Sequence, residues 1–180
     1  MDDSGQQLGV AMNAGMYHMD RAPVGLYIED GREEMRVITS DGPGNFGLLP
    51  NGVLCMSDGT ASVIESRRYA KAPPACRFAT QSGPMLVIDG DLHPKFLKDS
   101  DSYNVRNGVG VSADGATLWM AISEVPVNFH HFARFFRDDL GTPNALYLDG
   151  NVSRLYAPDL GRRDPGLPMG PILGTAVPAN

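Results

Sequence analysis

Short apolar runs separated by glycine-containing turns dominate the pattern of hydrophobic and polar positions along the chain. The dipeptide Asp-Gly occurs six times and Asn-Gly twice, and both pairs suit the positive φ angles that two-residue hairpin turns require. Strand-like runs flank several of these pairs: 24–28 and 35–38 around Asp30-Gly31, 53–56 and 61–64 around Asp58-Gly59, and 109–111 and 117–122 around Asp114-Gly115. Serial hairpins of this kind predict a mainly antiparallel sheet.

Two segments carry the signals of helices. The first begins at Asn128, a good N-cap residue, and is expected to end before Gly141. Its apolar residues recur at the helical period, namely Phe129, Phe132, Ala133 and Phe136. Residues 66–71 predict a shorter turn of helix that stops before two consecutive prolines. Residues 158–180 hold five prolines and four glycines, which predicts an irregular tail.

Composition narrows the class of protein. The 180 residues fit one domain, and 42% hydrophobic against 20% charged residues excludes wholesale disorder. The 21 glycines and 14 prolines favour a turn-rich β chain over a helical bundle. We therefore expect a single α+β domain over residues 1–180, mainly antiparallel sheet built from serial hairpins, with one or two helices packed on it.

The charge and the hydropathy of the chain disfavour nucleic-acid binding and a membrane-spanning segment. Fifteen basic against 21 acidic residues give a net charge of -6, which repels phosphate backbones and predicts no nucleic-acid partner, while leaving room for one local cationic site. The longest apolar runs have four or five residues, such as 85–88, so no transmembrane segment is expected. The first seven residues lack a basic stretch followed by an apolar core, so we expect no signal peptide in this chain.

The cysteines and histidines add little chemistry. Cys55 and Cys76 form no Cys-x-x-Cys pair, so buried free thiols are the favoured expectation and one bridge between them is the alternative in an oxidising compartment. No metal-ligating spacing connects the four histidines, His18, His93, His130 and His131. We therefore predict neither a metal site nor a cofactor.

Four segments place polar side chains beside glycine at the end of an apolar run: 13–18, 80–84, 106–110 and 146–153. Glycine allows a ligand or a second backbone to approach closely, and strand ends often carry functional sites. For any one segment on its own, a tight turn with capping side chains is the better explanation. Taken together, the four segments support a binding or catalytic site as well as they support turns.

These segments resemble the phosphodiester glycosidase family, together with 23–26, 44–46 and 170–174. The strongest blocks are Asn-Ala-Gly-Met-Tyr at 13–17, Ala-Thr-Gln-Ser-Gly-Pro-Met-Leu at 79–86 and Leu-Tyr-Leu-Asp-Gly at 146–150. The family includes the lysosomal enzyme that removes N-acetylglucosamine from the phosphodiester masking mannose 6-phosphate. The resemblance is closest to its bacterial branch. The front of this chain looks shortened by one or two strands, and Asn151 stands where relatives often have glycine.

The resemblance implies hydrolysis of a sugar-1-phosphodiester of the hexosamine type, small or polymeric, in a periplasmic or secreted location. Because the departing phosphomonoester is a weak base, the reaction needs a carboxylate that stabilises an oxocarbenium-like transition state more than a strong general acid. Asp149 receives this catalytic role, although most Asp-Gly aspartates only bond their own turn. Arg106 is expected to hold the phosphate, with a surface ion pair as the alternative.

The remaining candidates are expected to bind substrate. Ser82 and Gly83 offer a hydroxyl and a backbone N–H to an anionic oxygen. Asn13 and Tyr17 would bond sugar hydroxyls and stack on the ring, with backbone capping and core packing as equal alternatives. The other residues expected to bind substrate are Gln81, Asn107, Gly150 and Ser153. A divalent cation between Asp149 and the phosphate stays open, as does a non-catalytic glycan- or envelope-polymer-binding module on the same fold. The oligomeric state is not indicated.

Overall fold

A computed structural model of the chain describes residues 5–179, apart from the side chain of Asn151. The strands are β1 (Gln6–Asn13), β2 (Tyr27–Glu29), β3 (Arg32–Met35), β4 (Gly52–Ser57), β5 (Thr60–Glu65), β6 (Phe78–Ser82), β7 (Met85–Ile88), β8 (Asp91–Leu92), β9 (Asn107–Val111), β10 (Leu118–Ile122), β11 (Asn144–Tyr147), β12 (Leu155–Ala157), β13 (Arg162–Arg163) and β14 (Ile172–Pro178). The α-helices are α1 (Ser66–Lys71) and α2 (Phe129–Arg134). A π-helical turn (Phe135–Asp139) extends α2, and single 3-10 turns span Gly150–Val152 and Pro158–Leu160. The prediction about a signal peptide falls partly on residues 1–4, which lie outside the described residues.

The strands form three antiparallel sheets, which confirms the predicted α+β class. Their orders are β13-β12-β1-β14, β10-β9-β11-β7-β8 and β3-β2-β6-β4-β5. Hairpins at Asp30-Gly31, Asp58-Gly59 and Asp114-Gly115 connect β2 to β3, β4 to β5 and β9 to β10, as the sequence predicted. β3 begins three residues earlier than expected, directly after the glycine.

One apolar cluster joins all three sheets. It includes Met12 of β1, Leu54 of β4, Met85 of β7, Val109 of β9 and Leu173 of β14, all buried. The three alternate apolar residues of β10 pack against this cluster, as their alternation predicted. None of the helices within residues 5–179 is long and apolar enough to cross a membrane.

Both predicted helices are present with the predicted starts. The carboxylate of Glu65 caps α1, and the side-chain oxygen of Asn128 accepts the backbone N–H of His131 at 2.9 Å at the start of α2. Phe132 of α2 and Phe136 of the π-helical turn pack against the second sheet. The sheet makes room for these rings with the glycines of β9, since a Cβ at position 110 would lie 2.6 Å from Cδ1 of Phe136.

The prediction of an irregular tail over 158–180 is wrong for part of its length. β13 pairs with β12, and β14 pairs antiparallel with β1. β14 is an edge strand with five of its seven residues exposed or nearly so, and only Leu173 is buried. It therefore lacks the apolar alternation that marks a half-buried strand, and an edge position tolerates its glycine and terminal proline.

Cys55 and Cys76 form a disulfide, so the expectation of free thiols is wrong and the alternative bridge is correct. Cys55 lies on β4, and the chain entering β6 runs alongside it, where Arg77 N–H donates to the carbonyl of Met56 at 2.8 Å. This pairing brings the two cysteine Cα atoms to 5.4 Å, a separation that a disulfide spans without backbone movement.

Candidate active site

Two buried asparagines hold the backbone of Asp149. Asn13 ends β1, Asn107 begins β9, and Asp149 lies two residues beyond β11. Nδ2 of Asn13 and Nδ2 of Asn107 donate to the Asp149 carbonyl oxygen at 2.8 and 3.0 Å. The two amides also face each other at 3.3 Å. Residues far apart in the sequence are thus joined through one peptide carbonyl.

The turn that follows Asp149 is tied to the same two asparagines. The Ser153 hydroxyl accepts from Asn107 Nδ2 at 2.7 Å and donates to the Gly150 carbonyl at 3.1 Å. The Arg154 N–H donates to Oδ1 of Asn13 at 3.2 Å. Five predicted site residues therefore meet in one cluster: Asn13, Asn107, Asp149, Gly150 and Ser153. In this cluster the asparagine amides satisfy neighbouring backbone and fix the shape of the 149–154 turn.

The β6 segment approaches the same cluster through a glycine. A Cβ at Gly15 would lie 2.4 Å from the carbonyl oxygen of Gln81, so the two backbones touch there. The Gln81 side chain points elsewhere: its Oε1 accepts the N–H groups of Leu26 and Ile38 at 3.0 and 2.9 Å. Segment 13–18 therefore contacts the other three predicted segments. The Gln81 side chain instead joins the backbones of Leu26 and Ile38.

Ser82 and Gly83 are enclosed by protein. Ser82 is fully buried, and its hydroxyl has no hydrogen-bond partner among the described residues. A Cβ at Gly83 would lie 2.6 Å from the Cβ of Asn51, so this glycine allows close packing of two loops. Both residues are therefore covered by other parts of the described chain and are not exposed at its surface.

Arg106 is buried next to the 149–154 turn, and only 1% of the residue is exposed. Its Nε donates to the carbonyl of Val127 and its Nη2 to that of Ser102, both at 2.8 Å. The guanidinium stacks 3.6 Å from the centre of the Phe129 ring. The pKa of Arg106 is lowered by burial, an effect that the charge of Tyr147 and the hydrogen bond to it oppose. Arg106 is thus a buried cation with carbonyl, hydroxyl and aromatic partners, and it forms no ion pair with a carboxylate among residues 5–179.

Tyr147 connects Arg106 to the Asp149 turn. The pKa of Tyr147 is raised, mainly by burial and also by the Asp149 carboxylate. The Arg106 guanidinium and the Gly150 N–H act in the opposite direction and lower it. The hydroxyl thus responds to both the cation and the carboxylate. A Cβ at Gly150 would lie 1.8 Å from the Tyr147 hydroxyl oxygen. Only glycine leaves room for this contact.

A hairpin over 16–24 covers one side of the cluster. Val24 N–H donates to the Met16 carbonyl, and His18 N–H donates to the Ala22 carbonyl, at 2.8 and 2.9 Å. Between this hairpin, the 149–154 turn and residues 167–168 lies a cavity of about 490 Å³. Its walls include Tyr17, Arg21, Val152 and Arg154. Asp149, Arg106 and Ser82 are not among its lining residues. This volume suits a small ligand.

Residues 6–167 match the family model of the phosphodiester glycosidases. The chain belongs to this family. It is 35% identical over 150 residues to the uncharacterized protein YigE of Escherichia coli (strain K12), a match covering 83% of this chain and 58% of that protein. The chain thus spans little more than half the length of this relative.

A solved structure of the same family shares the fold. The zebrafish N-acetylglucosamine-1-phosphodiester alpha-N-acetylglucosaminidase catalytic domain, auto-inhibited by its pro-peptide, superposes with a TM-score of 0.58. The superposition covers 83% of this chain and 53% of the zebrafish chain, at 18% identity. At this identity the likeness concerns the fold alone.

Three residues around the family motifs were missed by the sequence reasoning. Tyr147 stands inside the Leu-Tyr-Leu-Asp-Gly block, and Arg154 directly follows Ser153 at the end of the fourth segment. Their position beside candidate residues was a usable signal for both. Arg21 lies outside the motifs, and its place on the cavity wall depends on the 16–24 hairpin. Within residues 5–179 no group of three or more His, Cys, Asp or Glu side chains is placed to hold a metal ion.

Proposed function

We propose that this chain hydrolyses a sugar-1-phosphodiester of the hexosamine type, breaking the bond between the anomeric carbon and the phosphate oxygen. Membership of the phosphodiester glycosidase family supports the reaction class. The observation that carries the proposal is the anchoring of the Asp149 turn by Asn13 and Asn107 beside a cavity of about 490 Å³. The sugar would occupy this cavity, with Tyr17 against its ring.

Asp149 is the proposed catalytic carboxylate. Two buried amides donate to its carbonyl oxygen, so the side chain starts from a defined backbone position, which is what a catalytic group requires. The carboxylate would stabilise the positive charge that develops at the anomeric carbon or activate the attacking water. The phosphomonoester leaves without a strong acid, since it is a weak base.

Arg106 is proposed as a positioning residue. Direct binding of a phosphate would require displacement of the Phe129 ring and of two backbone hydrogen bonds. Through the Tyr147 hydroxyl, Arg106 instead supports the backbone of Gly150 and with it the Asp149 turn. This role differs from the phosphate clamp expected from the sequence, and burial is the reason.

Turnover of a phosphodiester-linked N-acetylglucosamine tests the proposal. Asp149→Asn should lower kcat by roughly 10²–10⁴-fold, the usual contribution of a positioned catalytic carboxylate. Asp41→Asn, in another Asp-Gly pair whose aspartate is exposed, is the matched control and should keep wild-type turnover. Equal turnover by both variants would reject the assignment of Asp149. Saturable binding of the same compound without product would instead favour a non-catalytic glycan-binding module.

A further inference from the structure

Two arginines, Arg21 and Arg154, line the cavity beside the Asp149 turn, although the chain has a net charge of -6. Arg21 lies at the tip of the 16–24 hairpin, and Arg154 ends the 149–154 turn. We propose that Arg21 and Arg154 together bind the phosphate group of the substrate. The inference rests on the proposed function for the identity of the anion, but its test measures binding and not turnover.

Neither arginine forms a close ion pair among the described residues, although the charge of Arg154 acts on Asp164 and helps to lower the pKa of that carboxyl. Six other arginines form ion pairs with carboxylates: Arg32, Arg68, Arg77, Arg134, Arg137 and Arg162. Within residues 5–179, neither Arg21 nor Arg154 has a carboxylate oxygen within 4.0 Å. Asp20 also lines the cavity, and its Oδ1 accepts the N–H of Ala22 at 3.0 Å. Two cations and one anion leave a net positive cavity.

Arg154 is held in a fixed orientation. Its backbone N–H donates to Asn13, and its Nη1 donates to the carbonyl of Leu167. Its guanidinium lies against Gly166, where a Cβ would be 1.8 Å from Cζ. These contacts use one guanidinium nitrogen, so Nε and Nη2 retain donors for a planar, bidentate contact with a phosphate. A preorganised side chain loses little freedom on binding.

Arg21 adopts a backbone conformation that long side chains rarely take. Its φ is +71°, and the other non-glycine residues of the described chain with positive φ are Asp30 and Asp89. Those two aspartates precede glycines in hairpin turns, where aspartate is well tolerated. An arginine in this region is unfavourable relative to glycine, and such strain concentrates at functional sites. This strain and the place of Arg21 on the cavity lining together support a binding role for its side chain.

Calorimetric titration with N-acetylglucosamine 1-phosphate and with inorganic phosphate tests the subsite. Arg21→Gln and Arg154→Gln should each raise the Kd of both probes by roughly 10- to 100-fold, the loss expected for a charged hydrogen bond. Arg36→Gln, at an exposed arginine outside the cavity, should leave both Kd values unchanged. Neutral N-acetylglucosamine should bind all variants alike. Equal Kd values for the phosphate probes across all variants would overturn the proposal.

Arg21→Gly separates binding from folding. Glycine relieves the positive φ, so this variant should melt at a higher temperature than wild type and yet bind N-acetylglucosamine 1-phosphate more weakly. A higher melting temperature with unchanged affinity would show that Arg21 does not bind the anion. Equal affinity for glucuronate would overturn the choice of phosphate over carboxylate. Arginine-dependent phosphate binding without hydrolysis would leave the subsite standing and reject the proposed hydrolase.

Discussion

Replacing Gly150 by alanine tests whether Tyr147 fixes the position of the Asp149 turn. A Cβ at residue 150 would lie 1.8 Å from the Tyr147 hydroxyl oxygen and 2.8 Å from its Cζ. Since carbon atoms pack at about 3.5 Å, the turn or the ring must move by roughly 1.5 Å. Gly150 does not have a positive φ, so alanine is conformationally acceptable there and the cost is steric.

The expected loss of activity follows from that displacement. A misplacement of about 1 Å lowers catalytic rates by roughly 10²-fold, so Gly150→Ala should lower kcat on the sugar phosphodiester by at least that factor. Tyr147→Phe removes the atom in closest contact but leaves Arg106 and the Gly150 N–H without their acceptor, and we expect about a tenfold loss. The double variant should be more active than Gly150→Ala alone, because the oxygen that collides is gone.

Steady-state kinetics and thermal melting of the four proteins in this cycle measure the coupling. Gly42→Ala is the matched control: it lies in another Asp-Gly pair, its φ is not positive, and no atom lies within 4 Å of the added Cβ. It should behave as wild type. Wild-type kcat in Gly150→Ala, or a double variant whose loss equals the product of the two single losses, would refute the steric argument.

Two further predictions concern stability. Replacing Cys55 and Cys76 together by serine should lower the free energy of unfolding by roughly 3 kcal/mol, because the bridge closes a loop with a sequence separation of 21. Urea denaturation measures this, and an unchanged midpoint would contradict it. Burial lowers the pKa of His93 from its ordinary value of 6.5, so the unfolded chain binds the proton more readily. Stability should therefore fall as the pH drops below 6.5. His93→Asn should flatten this dependence between about pH 7.5 and 5 in thermal melts, and an unchanged slope would assign it to other groups.

The parts of the fold that are determined by residues close together in the sequence were predictable from it. Asp58-Gly59 between two apolar runs was sufficient for the β4–β5 hairpin, and Asn128 before a Phe-rich stripe was sufficient for α2. β14 was not predictable in this way, because its stability comes from pairing with β1 across most of the chain length and not from its own alternation. The disulfide likewise depends on β4 and β6 lying side by side.

The burial of Arg106 shows why the roles of site residues were harder to predict than their proximity. An arginine that stands next to glycines at the start of a strand is expected to be exposed and to bind a ligand. Its environment is instead set by Phe129, 23 positions later, and by the chain that supplies the carbonyls of Ser102 and Val127. No local pattern contains that information.

The four segments mark the support of the site more than its substrate-facing wall. Asn13 and Asn107 are buried, and their amides bond backbone and each other, which requires particular side chains at particular strand ends. Such requirements produce strong sequence motifs. Arg21 and Arg154 line the cavity, and nothing in the hydrogen bonding of the two asparagines requires an arginine at either position. Of the residues that line the cavity, Tyr17 and Val152 belong to the motifs, whereas the two arginines proposed to bind phosphate lie outside them.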